Sequence, residues 1–137
     1  LKQLQLLQTS RPASRHLSKN SKLYKTILRG IFDKKGEQVV VLDLRKIPEA
    51  VADFFVVCEA GTYVQIKAIA DKVQDLVKLE TGEGPYRVEG QHQANWVLID
   101  YVNIIVHIMH PETRQFYKLE EMWSDAELLV VNAALHD

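Results

Sequence analysis

The sequence is short of almost everything that would announce a chemistry. One cysteine, Cys58, occurs in 137 residues, so no internal disulfide can form. A lone thiol suits a reducing compartment, and its place at the end of Phe54-Phe55-Val56-Val57 reads as a small buried hydrophobe. No apolar run approaches the ~18 residues that a membrane-spanning helix needs; the longest runs are strand-sized, which is the pattern of a soluble protein. Neither a Gly-x-Ser-x-Gly elbow, a phosphate-binding Gly-rich loop, a Cys-x-x-Cys nor a His-Glu-x-x-His is present. His107 and His110 are three apart on an expected strand, where side chains alternate, so they point to opposite faces and cannot share an ion without a bend. These absences argue against nucleophilic, metal and phosphoryl chemistry.

Acid is missing from residues 1–32, which carry seven basic groups (Lys2, Arg11, Arg15, Lys19, Lys22, Lys25, Arg29). Ten basic residues then face 18 acids from Asp33 onward, so a basic start precedes an acidic body although the net charge is only -1. An acidic body suits a basic protein partner better than nucleic acid. Residues 1–20 have no sustained periodicity and read as a basic disordered leader: a cloning remnant, an organellar transit peptide or an RNA-touching arm.

What is present is a core. Hydrophobic residues make up 47% and charged residues 26% of a chain of one-domain length. From Ser21 the spacing of Leu23, Ile27 and Ile31 predicts a helix, capped by Asn20 or Ser21 and ended by Gly36. Val39 to Leu44 and Asp53 to Cys58 read as buried strands. Thr62 and Gln65 fit a capping box opening a helix whose apolar stripe is Ile66, Ile69, Val73, Leu76 and Val77. Tyr86–Glu89 predicts a short strand, and Trp96–Met109 a hairpin turning at Val102-Asn103, with Asn103 the residue suited to a positive φ. Pro111 starts a last helical stretch in which Phe116, Leu119 and Trp123 keep helical spacing. The order predicts a single α/β domain over residues 21–125, a mixed sheet of about five strands with flanking helices, and a tail over 126–137.

The hairpin is the most informative element. Alternation puts Tyr101, Ile99 and Val97 opposite Ile104, Val106 and Ile108, a wholly apolar face that must be core. The other face sets Trp96, Leu98 and Asp100 against Met109, His107 and Ile105. Two readings of it stand: a helix covers it, with Asp100 and His107 satisfied internally, or it is a protein-binding surface anchored on the tryptophan.

Two stretches carry a family likeness. Ala52-Asp53-Phe54-Phe55-Val56-Val57-Cys58, with Gly61-Thr62 and Gln65-x-Lys67-Ala68-Ile69-Ala70-Asp71, resembles the first signature of the Iojap/ribosomal silencing factor family. Arg87-Val88-Glu89-Gly90, Trp96 to Tyr101, Val106-His107, Pro111-Glu112-Thr113-Arg114, Phe116-Tyr117, Leu119-Glu120 and Trp123 resemble the second. The likeness runs from Tyr24 to Asp125, about three quarters of the chain. It implies a nucleotidyltransferase-like fold without the catalytic carboxylates, and no Asp-x-Asp pair follows Gly61-Thr62.

The resemblance further implies a protein without enzymatic activity or cofactor. Such a protein binds the large ribosomal subunit through ribosomal protein L fourteen, blocks joining of the small subunit and so represses translation. It also implies a capacity for homodimers, action in the bacterial cytoplasm or in an organelle, and at most secondary contact with rRNA. The contact set that it favours is Trp96, Leu98, Asp100, Tyr101, His107, Met109, Glu112 and Arg114, with the Tyr101 ring in the core and its hydroxyl at the rim. Two positions depart from the family pattern: Val102-Asn103 stands where relatives have Gly-Asp, and Tyr63-Val64 where a Ser-Ser or Ser-Arg start is usual. The alternatives are a vestigial nucleotidyl- or phosphotransferase using the helix start at Gly61, or a large-subunit assembly factor.

Overall fold

The computed structural model describes Gln3 and residues 21–133. Most of the expected leader therefore lies outside the described residues, as do the last four residues of the tail. Gln3 itself is buried, and its side-chain amide donates to the Trp96 carbonyl at 2.9 Å.

Helix α1 (Lys22–Asp33) starts where Ser21 accepts from the Tyr24 amide. Its apolar side, Leu23, Tyr24, Ile27, Leu28 and Ile31, is buried. Gly36 closes the turn after it; a Cβ there would stand 2.5 Å from Ile31 Cγ2, so only glycine lets the chain fold back this tightly. Strands β1 (Glu37–Asp43) and β2 (Phe54–Glu59) pair antiparallel, with a bulge between Glu37 and Val40 where Gln38 takes φ 50. Helix α2 (Tyr63–Thr81) follows, capped by Thr62, whose hydroxyl accepts from the Gln65 amide. The reciprocal half of the expected capping box does not form. Gln65 instead donates its side-chain amide to the Lys34 and Lys35 carbonyls, tying the end of α1 to the start of α2. The stripe of α2 buries Ile66, Ile69, Ala70, Val73 and Val77, while Leu76 is only half-buried.

Strands β3 (Arg87–Glu89), β4 (Trp96–Asp100) and β5 (Ile104–Met109) come next. Two short helices follow, α3 (Pro111–Tyr117) and α4 (Leu119–Met122), and then β6 (Glu127–Val130). The single helical stretch expected after Pro111 is broken at Lys118, which adopts the left-handed conformation (φ 50, ψ 56). The break turns Phe116 out to solvent, 77% exposed, despite its helical spacing from Leu119 and Trp123. The sheet is mixed and six-stranded, in the order β3-β4-β5-β2-β1-β6. Its sixth strand comes from the tail, which pairs antiparallel with β1. Only β2 and β5 run parallel.

Two apolar layers lie on the two faces of this sheet. One, with Val39, Val41, Phe54, Val56, Cys58, Val97, Ile99, Val106 and Ile108, is packed by α1 and α2. Cys58 has no exposure and its thiol is pushed up to about 12 by burial, so it behaves as a hydrophobe. The other, with Val40, Leu42, Phe55, Val57, Trp96, Leu98, Ile105 and Met109, meets Leu44, Val51, Leu119, Tyr117 and Trp123. The expected hairpin register holds: Val97 faces Ile108 and Ile99 faces Val106.

The turn differs in one residue. The positive φ belongs to Val102 (φ 74) rather than Asn103, and the Asn103 amide donates back to the Tyr101 carbonyl at 2.9 Å. Asn103 instead turns its carbonyl to the Asp53 and Phe54 amides, which fixes the hairpin tip against the start of β2. A β-branched residue at positive φ is strained by ~1–3 kcal/mol, more than the extra chain entropy that glycine loses. Val102→Gly is therefore expected to stabilise the domain by ~1 kcal/mol in urea unfolding.

Candidate functional site

The site expected from the sequence lies on β4 and β5 and the segment after them. Trp96 and His107 sit on adjacent strands, and the Trp96 indole donates to His107 Nδ1 at 3.1 Å. The imidazole proton therefore sits on Nε2, which is buried and has no partner among the described residues. Phe55 packs edge-on against His107 at 4.8 Å and against Trp123 at 5.8 Å, and Tyr117 lies 5.1 Å from Trp96. An indole-to-imidazole hydrogen bond satisfies two of the polar atoms that this aromatic packing would otherwise strand.

Of the two readings of this face, the covered one is what the structure has. Trp96 and Leu98 are each 1% exposed, and His107 and Met109 not at all. Residues 117–126 fold back over the face, an event that strand alternation cannot announce. Asp100 is also buried, and both its oxygens are used. Arg87 Nε donates to Oδ2 at 3.1 Å, and the Val102 amide to Oδ1 at 2.8 Å. The carboxylate braces the strained turn from within. Tyr101 faces the opposite layer, and its hydroxyl is buried without a partner among the described residues rather than at the rim; burial pushes it up to about 12.

Two members of the expected set remain near the surface. Glu112 is exposed in the first turn of α3, where a carboxylate suits the helix dipole. Arg114 is mostly enclosed. Its Nη1 donates to the Gln38 carbonyl at 2.7 Å and to Glu59 Oε1 at 3.2 Å, and its Nε to Glu120 Oε2 at 3.4 Å. One guanidinium thus joins the bulge of β1, the end of β2 and the start of α4. Gln38 and Glu59 were not singled out from the sequence, and Glu120 appears there only within the family signature; a basic residue between acidic ones is too common a sign to point to this junction.

The remaining candidates stay apart. His110 caps α3, accepting from the Glu112 amide at Nδ1, and its ring leans on Tyr63 at 6.0 Å. His92, a histidine outside the expected contact set, is exposed in the loop before β4. Among the described residues, no group of three or more His, Cys, Asp or Glu side chains could hold a metal ion, and no helix is long and apolar enough to cross a membrane. The Gly61-Thr62 helix start is exposed, with the Thr62 hydroxyl occupied as a cap.

Electrostatics follow from burial. Desolvation lowers the His107 pKa from 6.5 to about 3, so the imidazole is neutral in the fold. A group depressed by folding contributes stability that is complete above its unfolded pKa and is lost as pH falls toward its folded one. The protein is expected to lose up to about 1.4 kcal/mol per pH unit from this residue between pH 6.5 and 3. His107→Asn, which keeps an acceptor for the indole, should flatten that slope in denaturant titrations. Trp96→Ala, in turn, is expected to cost ~3–5 kcal/mol of stability, the loss of a core aromatic.

Comparison with known proteins fits this architecture. A family model described as ribosomal silencing factor during starvation matches residues 17–136. A Halalkalibacterium halodurans protein named ribosomal silencing factor RsfS is 39% identical over 107 residues, covering 78% of this chain and 90% of its own. A mouse protein named for mitochondrial assembly of the ribosomal large subunit is 30% identical over 74 residues, 53% of this chain and 32% of its own. A crystal structure of a Bacillus halodurans protein superposes with a TM-score of 0.70 at 35% identity, covering 82% of this chain and all of that one.

Proposed function

Because the chain belongs to the ribosomal silencing factor family, we propose that it binds the large ribosomal subunit through ribosomal protein L fourteen and thereby keeps the small subunit from docking. The action is steric and has no chemical step. The observation that carries the reading is the family match across residues 17–136, which spans every described element after Gln3. The acidic body supports it, since ribosomal proteins are commonly basic and opposite charge speeds and orients encounter. The mouse relative's name favours a second reading, assembly of the large subunit, which shares the same docking partner.

The partner-facing region is the α3–α4 segment together with the hairpin face directly beneath it. Glu112 and Arg114 are its outer members, and Trp96, Leu98, His107 and Met109 form its floor. Asp100 and Tyr101 hold the hairpin in shape behind it. Self-association belongs to the same reading. Strand β6 is the sheet's edge and exposes Leu128, Leu129 and Val130, which offers a second copy an apolar strand.

The test is co-sedimentation of the purified protein with isolated large and small subunits, followed by a subunit-joining assay. Pelleting with the large subunit alone, with joining blocked, is the expected result. Pelleting with neither subunit, or with the small one only, overturns the proposal. Pelleting with the large subunit while joining proceeds overturns the silencing mechanism in favour of the assembly reading.

A further inference from the structure

Among the described helices, those of residues 111–123 bury the fewest residues. Helix α3 has no buried residue and α4 has one, Leu119, against seven in α1 and five in α2. Four buried side-chain polar atoms lack a hydrogen-bond partner among the described residues, and three of them belong to this region: Glu120 Oε1 and Trp123 Nε1 within the segment, and His107 Nε2 on the floor under it. Such atoms are uncommon in a settled core, so their concentration here marks a covering that satisfies its surroundings poorly. The floor, by contrast, is continuous and apolar: Phe55, Val57, Trp96, Leu98, Ile105 and Met109.

The segment is also bounded and latched. It begins at His110, which is extended (φ -66, ψ 143), and it breaks again at Lys118, which is left-handed. Between them Arg114 holds it down by donating to the Gln38 carbonyl and to Glu59, both on the sheet.

We propose that residues 111–123 are a hinged cover, and that the protein engages its partner by lifting the cover and presenting the Trp96–Met109 face. The occupant that fits is a protein segment with an apolar side chain beside a lysine or arginine. When Arg114 withdraws, the Gln38 carbonyl and the Glu59 carboxylate stay on the sheet as an acceptor pair spaced for a cation, next to an aromatic floor. The partner's cation takes the place of Arg114, and its apolar neighbour packs on Trp96. Opening returns the three unpartnered polar atoms to water, which offsets part of the cost of exposing the apolar floor, and a ligand selective for the open state shifts the population toward it. The identity of the partner rests on the large-subunit reading; the hinge does not.

Two measurements separate these dependences. In the free protein, backbone amides of 112–123 are expected to exchange with solvent at least about tenfold faster than those in the middle of α2, as a locally opening unit does. Acrylamide should reach the two tryptophans, Trp96 and Trp123, more readily in Arg114→Gln and in Leu119→Ala, each of which weakens the closed state without touching the floor. Both variants should then bind the large subunit more tightly, by about tenfold if opening is the tax on affinity. Amides of 112–123 as protected as those of α2 overturn the hinge. Weaker large-subunit binding by both variants, with α1 and α2 still protected, overturns the role of opening in recognition. If wild type and variants alike ignore the large subunit, the proposed function fails and the exchange data alone decide the hinge.

Discussion

Side-by-side parallel pairing of β2 and β5 is the constraint from which the rest of the domain follows. Phe54 to Glu59 run alongside Ile104 to Met109 in register, so both strands leave the sheet at the same end. The chain after β2 turns onto one face as α2, and the chain after β5 turns onto the other as α3 and α4. A central parallel pair has to be covered on both sides, because its residues are apolar on both. One face receives two long helices with many buried positions. The other has only the short segment after Met109, the loop from Leu44 to Ala52, and the turn into β6. The asymmetry of the domain, and the thinness of its second layer, come from the shortness of α3 and α4 and the left-handed break between them at Lys118.

That thin layer explains the polar chemistry found beneath it. A full helix would have buried the second face with aliphatic side chains. Here Trp96, Phe55, Tyr117 and Trp123 fill the space instead, and large rings bring polar handles with them. His107 takes the indole proton of Trp96 and is held neutral by the same burial. The pair is a local solution that works only while the imidazole stays unprotonated, which couples the integrity of this layer to pH in a way that the face beneath α1 and α2, with no histidine among its described core residues, does not share.

The sequence reveals the fold where a physical period exists to be read. The register of β4 on β5 follows from the alternation of Val97, Ile99, Val106 and Ile108, and the stripe of α2 from the recurrence of Ile66, Ile69, Val73 and Val77. Family membership was legible as well, because its signatures are long. Exposure was not. Trp96 alternates as a strand residue should whether or not something lies over it, and α3, which buries nothing, has no apolar stripe to declare its position. The spacing of Phe116, Leu119 and Trp123 suggested one helix and one buried face. A single left-handed residue, Lys118, divides it and leaves Phe116 outside. Nor could Gln65 be seen to abandon its capping box for two carbonyls some thirty residues earlier, since that choice depends on where α1 ends in space.

Arg114 shows why the contact set and the covering cannot be understood separately. As a surface cation it would be an ordinary rim residue, worth little because water screens it. Its guanidinium instead lies between a strained bulge residue and two carboxylates from different elements, so that removing it would leave Gln38 and Glu59 without their common donor. Glu120 uses one oxygen on this arginine and leaves the other buried and without a partner among the described residues, an arrangement that satisfies the latch and not its surroundings. Arg114 and the packing of Leu119, Tyr117 and Trp123 together hold the segment, so its local stability rests on one polar junction and a few apolar contacts. Under the proposed opening, a partner that supplies a cation of its own competes with Arg114 for Gln38 and Glu59, and the apolar floor beside them is held in place by the other face of the sheet.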